Sequence, residues 1–272
     1  TDLVSNRTWY TDANGRQMLK RQWNHRPTWN LDVTEEVSGN YYPVNSRIAL
    51  RDEAKKLQLT VLTDRSQGGT SPRDGVIELM VHRRLLHDDA FGVDEALNET
   101  GVDGRGLVIR GRHVVQLTHI DQAARQHRPR AQEMFMAPVV GFSRFTGSQS
   151  PVAPFEHSYL HAPLPPNVHL LTLEQWSHGR YLLRLEHFYQ HQEDAKLSKP
   201  AIVHLKNLFV PFEVVSVEEL ALGANQPVSA LANRMMFDYR PINETTSPFQ
   251  PPKSDPVDPT RLEVTLNPMQ IR

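Results

Sequence analysis

Apolar residues along this chain recur mostly at alternate positions, the spacing of β-strands, and only rarely at the three-to-four spacing of an amphipathic helix. Leu57, Leu59 and Val61 alternate with Gln58, Thr60 and Leu62, which predicts a half-buried strand that ends in TDRSQGG. After Asp74-Gly75, the run VIELMVHRRLL puts Ile77, Leu79 and Val81 on one face and predicts a second strand. The two would form a long hairpin or meander whose tip carries the glycines. Residues 8 to 22 read as strand, turn and return strand, because Asn14-Gly15 suits the two positive-φ positions of a tight hairpin turn. Further strands are predicted at 107–117, 168–176, 180–189, 201–209, 212–222 and 261–271. Two segments resemble helix. DQAARQHRPRAQEMF should be limited to a turn or two by Pro129, and SALANRM near 229–235 is short. The predicted class is therefore all-β, with antiparallel β-sandwich architecture.

A chain of 272 residues is long enough for two domains of ordinary size. The stretch SRFTGSQSPVAPFEHSYLHAPLPPN, rich in Pro, Ser, Gly and His, has no periodicity and marks the candidate boundary. The expected division is a large β-sandwich over 1–163 and a smaller C-terminal β-domain over 164–272. A second proline-rich stretch, 240–260, reads as an exposed excursion within the latter.

Charge narrows the functional classes. With 30 Lys plus Arg against 31 Asp plus Glu, the net charge of −1 gives no field to steer nucleic acid, so charged function must be local. Cysteine is absent, which removes disulfides, thiol nucleophiles and Cys zinc sites. Three N-x-[ST] sequons, at Asn6, Asn98 and Asn243, lie in polar contexts suited to N-glycosylation in the secretory pathway. No apolar run is long enough to predict a membrane-spanning helix. The chain opens TDLVSNRTWYTDANG without a leader pattern, and the expectation is a processed piece of a longer precursor.

His82-Arg83-Arg84-Leu85-Leu86-His87-Asp88-Asp89 is the densest chemical cluster. Adjacent strand residues point to opposite faces, so one of Arg83 and Arg84 at most would face a given cleft. Its planar donors could hold a sugar hydroxyl or orient a carboxylate from another segment. The alternative is that both arginines pair with Asp88 and Asp89 across a tight turn. Asp88 and Asp89 themselves are rejected as a glycosidase pair, since neighbours in sequence point apart and cannot flank a scissile bond. The thirteen histidines, including His82 with His87 and the group His157, His161 and His169, lack the spacing that fixes a zinc face. Gln67-Gly68-Gly69-Thr70-Ser71 lacks the lysine and following helix of a phosphate loop and reads as a hairpin tip. No GxSxG elbow occurs. Trp9-Tyr10, Trp23, Trp29 and Tyr41-Tyr42 could stack on sugar faces or fill a sandwich core.

Taken in order, WYTDANGRQMLKR at 9–21, SGNYYPVNSRI at 38–48, LTVLTDRSQGGTSPRDGVIELMVHRRLLHDDAFGV at 59–93, LPPNVHLLTLEQW at 164–176 and LEVTLNPMQIR at 262–272 resemble the C-terminal half of class II α-mannosidases. These form glycoside hydrolase family 38, and the lysosomal branch is the nearest in pattern. The resemblance implies a zinc-dependent retaining exoglycosidase acting on terminal α-linked mannose of N-glycan oligosaccharides, of which this chain supplies the β portion. It places the nucleophile, the acid/base carboxyl and the zinc ligands in an N-terminal catalytic barrel, so no catalytic residue and no metal ligand is assigned here. Zinc is expected in that partner domain and not on this chain. It also implies that Arg83 or Arg84 reaches the active-site cleft. The implied partners are the N-terminal catalytic chains of one precursor and a mannose-containing oligosaccharide, with no nucleic acid and no membrane; a homodimer is a further partner consistent with this reading. The implied compartment is the lysosome, with the Golgi lumen or the extracellular space as alternatives. Two other functions stay open: a non-catalytic carbohydrate-binding or structural β-module, and the same region of a Golgi-type enzyme.

Overall fold

The computed structural model describes residues 1–142, 144, 156–233 and 257–272, and in these the regular structure is antiparallel strand apart from one α-helix and two short 3-10 turns. The chain forms two units, Thr1–Gly141 with Gln192–Lys196, and Phe142–His191 with Leu197–Arg272.

In the first unit, β1 (Thr8–Ala13), β2 (Gln17–Gln22), β4 (Arg47–Asp52), β5 (Leu57–Thr63) and β8 (His113–His119) make a five-stranded sheet in the order β2-β1-β4-β5-β8. A second sheet, β3 (Tyr42–Val44), β6 (Gln67–Thr70) and β7 (Glu78–Met80), has the order β3-β6-β7. Asn14 and Gly15 both take positive φ at the β1–β2 turn, as Asn-Gly predicts. The buried Asp12 carboxylate fastens this hairpin to the next turn. Its Oδ1 accepts the backbone N–H groups of Asn45, Ser46 and Arg47 at 2.9–3.0 Å.

Between the sheets lies a core of Trp9, Val44, Ile48, Leu50 and Val61, with Tyr42, Leu59, Ile77 and Leu79 packed at its edge. The glycines of QGGTS are not a hairpin tip, contrary to expectation. They sit in β6, the middle strand, with Gly69 opposite Tyr42 on one side and Leu79 on the other. The reason is steric. A Cβ on Gly69 would come within 2.7 Å of Val44 Cγ2 and 3.1 Å of Ile48 Cδ1, so only glycine lets the two sheets approach.

The half-buried reading of residues 57–63 also changes. Leu59 and Val61 face the core, but Gln58 and Thr60 on the other face are just as inaccessible, because helix α1 (Ile120–Phe135) packs there. That helix spans 16 residues and carries Pro129 within it, where the sequence predicted only a turn or two. An interior proline costs about 3 kcal/mol. The helix survives because Ala123, Ala124, His127, Arg128 and Ala131 form one buried stripe, whose packing outweighs that local penalty.

The second unit holds the hairpin β9 (Val168–Ser177) with β10 (Arg180–His187), and the pair β11 (Ala201–His204) with β12 (Glu263–Leu266). The chain end continues the pairing, since Arg272 and Leu185 exchange backbone hydrogen bonds at 2.7 and 2.9 Å. Val168, Leu185, Val203, Leu205, Phe209, Val264 and Leu266 form its core. Of the predicted strands, that at 107–117 is realised only in its second half, within β8, and that at 212–222 is absent. Residues 107–112 carry no ladder, and β8 starts only at His113. Residues 212–222 make no strand either. Their alternation is explained by Phe212, Val214 and Val217 packing on the core without a neighbouring strand to pair with among the described residues. The helical segment near 229 is a 3-10 turn, Val228–Asn233, and its last two expected residues lie outside the described ones.

Candidate functional site

A groove of about 830 Å³ opens on the first unit beside the second sheet. β3 brings Tyr42 and Pro43 to it, the adjoining turn brings Tyr41 and Ser38, β6 brings Gln67 and Gly68, and Arg83 stands at the rim just past β7. Gly68 is part of the construction. A Cβ there would lie 3.1 Å from Tyr41 Cδ1, so the missing side chain is what admits the tyrosine ring against the strand.

The two tyrosines have different surroundings. Tyr42 is engaged, edge-on to Trp9 at 5.8 Å and with the guanidinium groups of Arg21 and Arg26 at 4.2 and 4.7 Å from its ring centre. Tyr41 has no ring partner among the described residues, and its hydroxyl donates a hydrogen bond to the Glu78 carboxylate. Desolvation, reinforced by that bond, pushes the Tyr41 phenol up to about 12, so it stays a neutral donor across any physiological pH. A neutral ring with a fixed hydroxyl, beside the Arg83 guanidinium, can offer one apolar face and a charged planar donor to a sugar, while the amides of Asn45 and Gln67 along the same groove are bonded to Asn14, Ser66 and His113.

Of the two sequence-predicted arginines, Arg83 lines this groove and Arg84 does not. Arg84 instead turns toward Gly106, with Nη1 3.9 Å from the point where a Cβ on that glycine would stand. Neither pairs with the neighbouring aspartates. Asp88 and Asp89 each cap a local turn, accepting the N–H groups of Ala90 and Phe91 at 3.1 Å. Of the other aromatics, Trp9 is fully buried in the core and Trp29 is exposed. The sequons at Asn6 and Asn98 are exposed, while Asn243 lies outside the described residues.

The histidines do not converge. His169 Nδ1 meets Glu186 at 2.7 Å, and His157 lies edge-on to Tyr159 at 4.7 Å. Among the described residues no three His, Asp or Glu side chains approach one another closely enough to hold a metal ion, so these residues do not fit a zinc site.

Sequence reasoning missed a second polar cluster altogether. Under α1, Arg47 Nη1 contacts His127 Nδ1 at 3.0 Å, and Arg128 is salt-bridged to Glu193. Burial and the nearby Arg128 charge bring the Arg47 guanidinium down to about 9. Burial, then the charges of Arg47 and Arg128, hold His127 well below the usual imidazole range, so it is neutral. The one available signal was the unusual HRPR within an otherwise amphipathic helix.

In the first unit the two antiparallel sheets about one core, with an exposed arginine at the edge of an aromatic groove, define a β-sandwich. Two family models match the chain, the glycosyl hydrolases family 38 C-terminal domain over residues 1–91 and the family 38 C-terminal beta sandwich domain over residues 167–272, and the chain belongs to that family as part of its C-terminal region. It is similar over its whole length to lysosomal alpha-mannosidases, at 47% identity for the protein of Bos taurus and 45% for that of Homo sapiens. An alpha-mannosidase of Arabidopsis thaliana is 38% identical. The chain spans about a quarter of the length of these relatives, 26–27%.

Proposed function

We propose that this chain is the C-terminal β-domain part of a zinc-dependent, retaining α-mannosidase that removes terminal α-linked mannose from N-glycan oligosaccharides in the lysosome. The identity of 45–47% to lysosomal alpha-mannosidases along the whole chain carries this reading. The nucleophile, the acid/base carboxyl and the zinc then belong to the rest of the precursor. This chain's part is to complete the catalytic unit and to present Arg83 and Tyr41 to the oligosaccharide. A permanently charged planar fork suits hydroxyl recognition, and an unoccupied ring suits the C–H face of a pyranose. On this reading the isolated 272 residues have no mannosidase activity. N-glycans at Asn6, Asn98 and Asn243 accord with passage through the secretory pathway.

The test is made on the full-length enzyme. Arg83→Ala should leave the melting temperature unchanged and lower kcat/KM about 10-fold or more on an oligosaccharide, a loss of about 1.4 kcal/mol in transition-state binding. Arg84→Ala should keep wild-type turnover. Full activity in both variants would rule the groove out as a substrate contact.

A further inference from the structure

The connection from Val81 to Arg112, between β7 and β8, is long and almost without regular structure; its one bridge joins Thr100 to Gly106. It is also apolar where it should not be. Leu86, Phe91, Val93, Val102 and Val108 are each at least 77% exposed. Loops of this length in compact domains are uncommon, and those that persist bind something or act on something. The exposed apolar surface continues onto β8, where Val115 and Leu117, on the same sheet face as Val61 and Leu59, remain 66% and 61% accessible. β8 is the last strand of its sheet, so its outer backbone edge is unpaired among the described residues as well.

We infer that the Val81–Arg112 arm and the outer face of β8 form one docking surface, and that its occupant is the remainder of the same precursor. This rests on the reading that the chain works as part of a larger α-mannosidase. The relatives carry about three-quarters of their length outside the region matched here, so a large partner of fixed stoichiometry is available. The arm's charges suit no other class so well. Arg83 and Arg84 at the start of the arm and Arg105, Arg110 and Arg112 at its end flank an acidic stretch from Asp88 to Asp103, so the arm as a whole carries no net basic field for an anionic membrane surface. Scattered apolar anchors among mixed charges are what a permanent interface between parts of one protein requires. Asx turns at Asp88, Asp89 and Asp103 shape the arm locally and leave those anchors outward. Because Arg83 begins the arm and also lines the groove, a partner seated on the arm would form the groove's second wall.

A photo-crosslinking residue placed at Phe91 in the full-length enzyme, with a control at the exposed Ala54, tests this. The expected product is a crosslink from position 91, and none from position 54, to a peptide outside these 272 residues. A crosslink to a second copy, a crosslink within these residues, or no crosslink would each overturn the proposal. The paired variant Phe91→Asp with Val108→Asp should lower the melting temperature of the full-length enzyme, whereas Trp29→Asp should not. Equal melting temperatures would count against the surface. Mannosidase activity of the unmodified enzyme, measured separately, tells failure of this surface from failure of the functional reading.

Discussion

His127 shows how one side chain can tie this molecule to pH. It is buried beside two arginines and held neutral, its protonation disfavoured first by burial and then by the charges of Arg47 and Arg128. In the unfolded chain the same imidazole titrates near about 6.5. A depressed folded-state value means that its contribution to stability is complete above that point and is lost as the pH falls below it. The fall in melting temperature from pH 7 to pH 5 should therefore be smaller in His127→Gln than in the wild type, as followed by calorimetry. Gln keeps an acceptor for Arg47. Identical slopes would show that His127 does not titrate on unfolding. His187, depressed mainly by its own burial, acts in the same direction and remains in the variant.

At the scale of elements, period-two patterning of residue types locates the strands β5, β9 and β10, although burial itself does not alternate along them, β5 being covered on both faces. It misplaces β6, because two successive glycines carry no side chain to alternate and the signal resembles a turn. The predicted break at Pro129 fails for a related reason. Local propensity registers the lost N–H, while the compensating contacts of α1 with β5 come from far back along the sequence. Gly69→Ala follows directly: overpacking against Val44 and Ile48 should cost about 1–3 kcal/mol, read as a lower denaturation midpoint. A neutral result would mean that the two sheets can separate without penalty. The candidate groove was half legible. Tyr41 and Arg83 stood out as residue types, but their meeting across β3, β6 and β7 depends on sheet pairing that spacing alone does not reveal.

At the scale of the molecule, both family models are C-terminal domains of the family, and the chain spans 26% of the length of the Bos taurus relative. Mass spectrometry of native material should find peptides of the same precursor from outside this region co-purifying in equal amount. Their consistent absence would favour a stand-alone β-module.

The first unit is not one continuous stretch of sequence. Glu193 and Asp194, from the five residues Gln192–Lys196, take the salt bridges of Arg128 and Arg125 on α1. On a linear map of variants, a substitution at Glu193 falls inside the C-terminal sandwich. Its damage would nonetheless be felt beneath α1, so inherited changes in this short stretch should be grouped by the unit they stabilise and not by their place in the sequence.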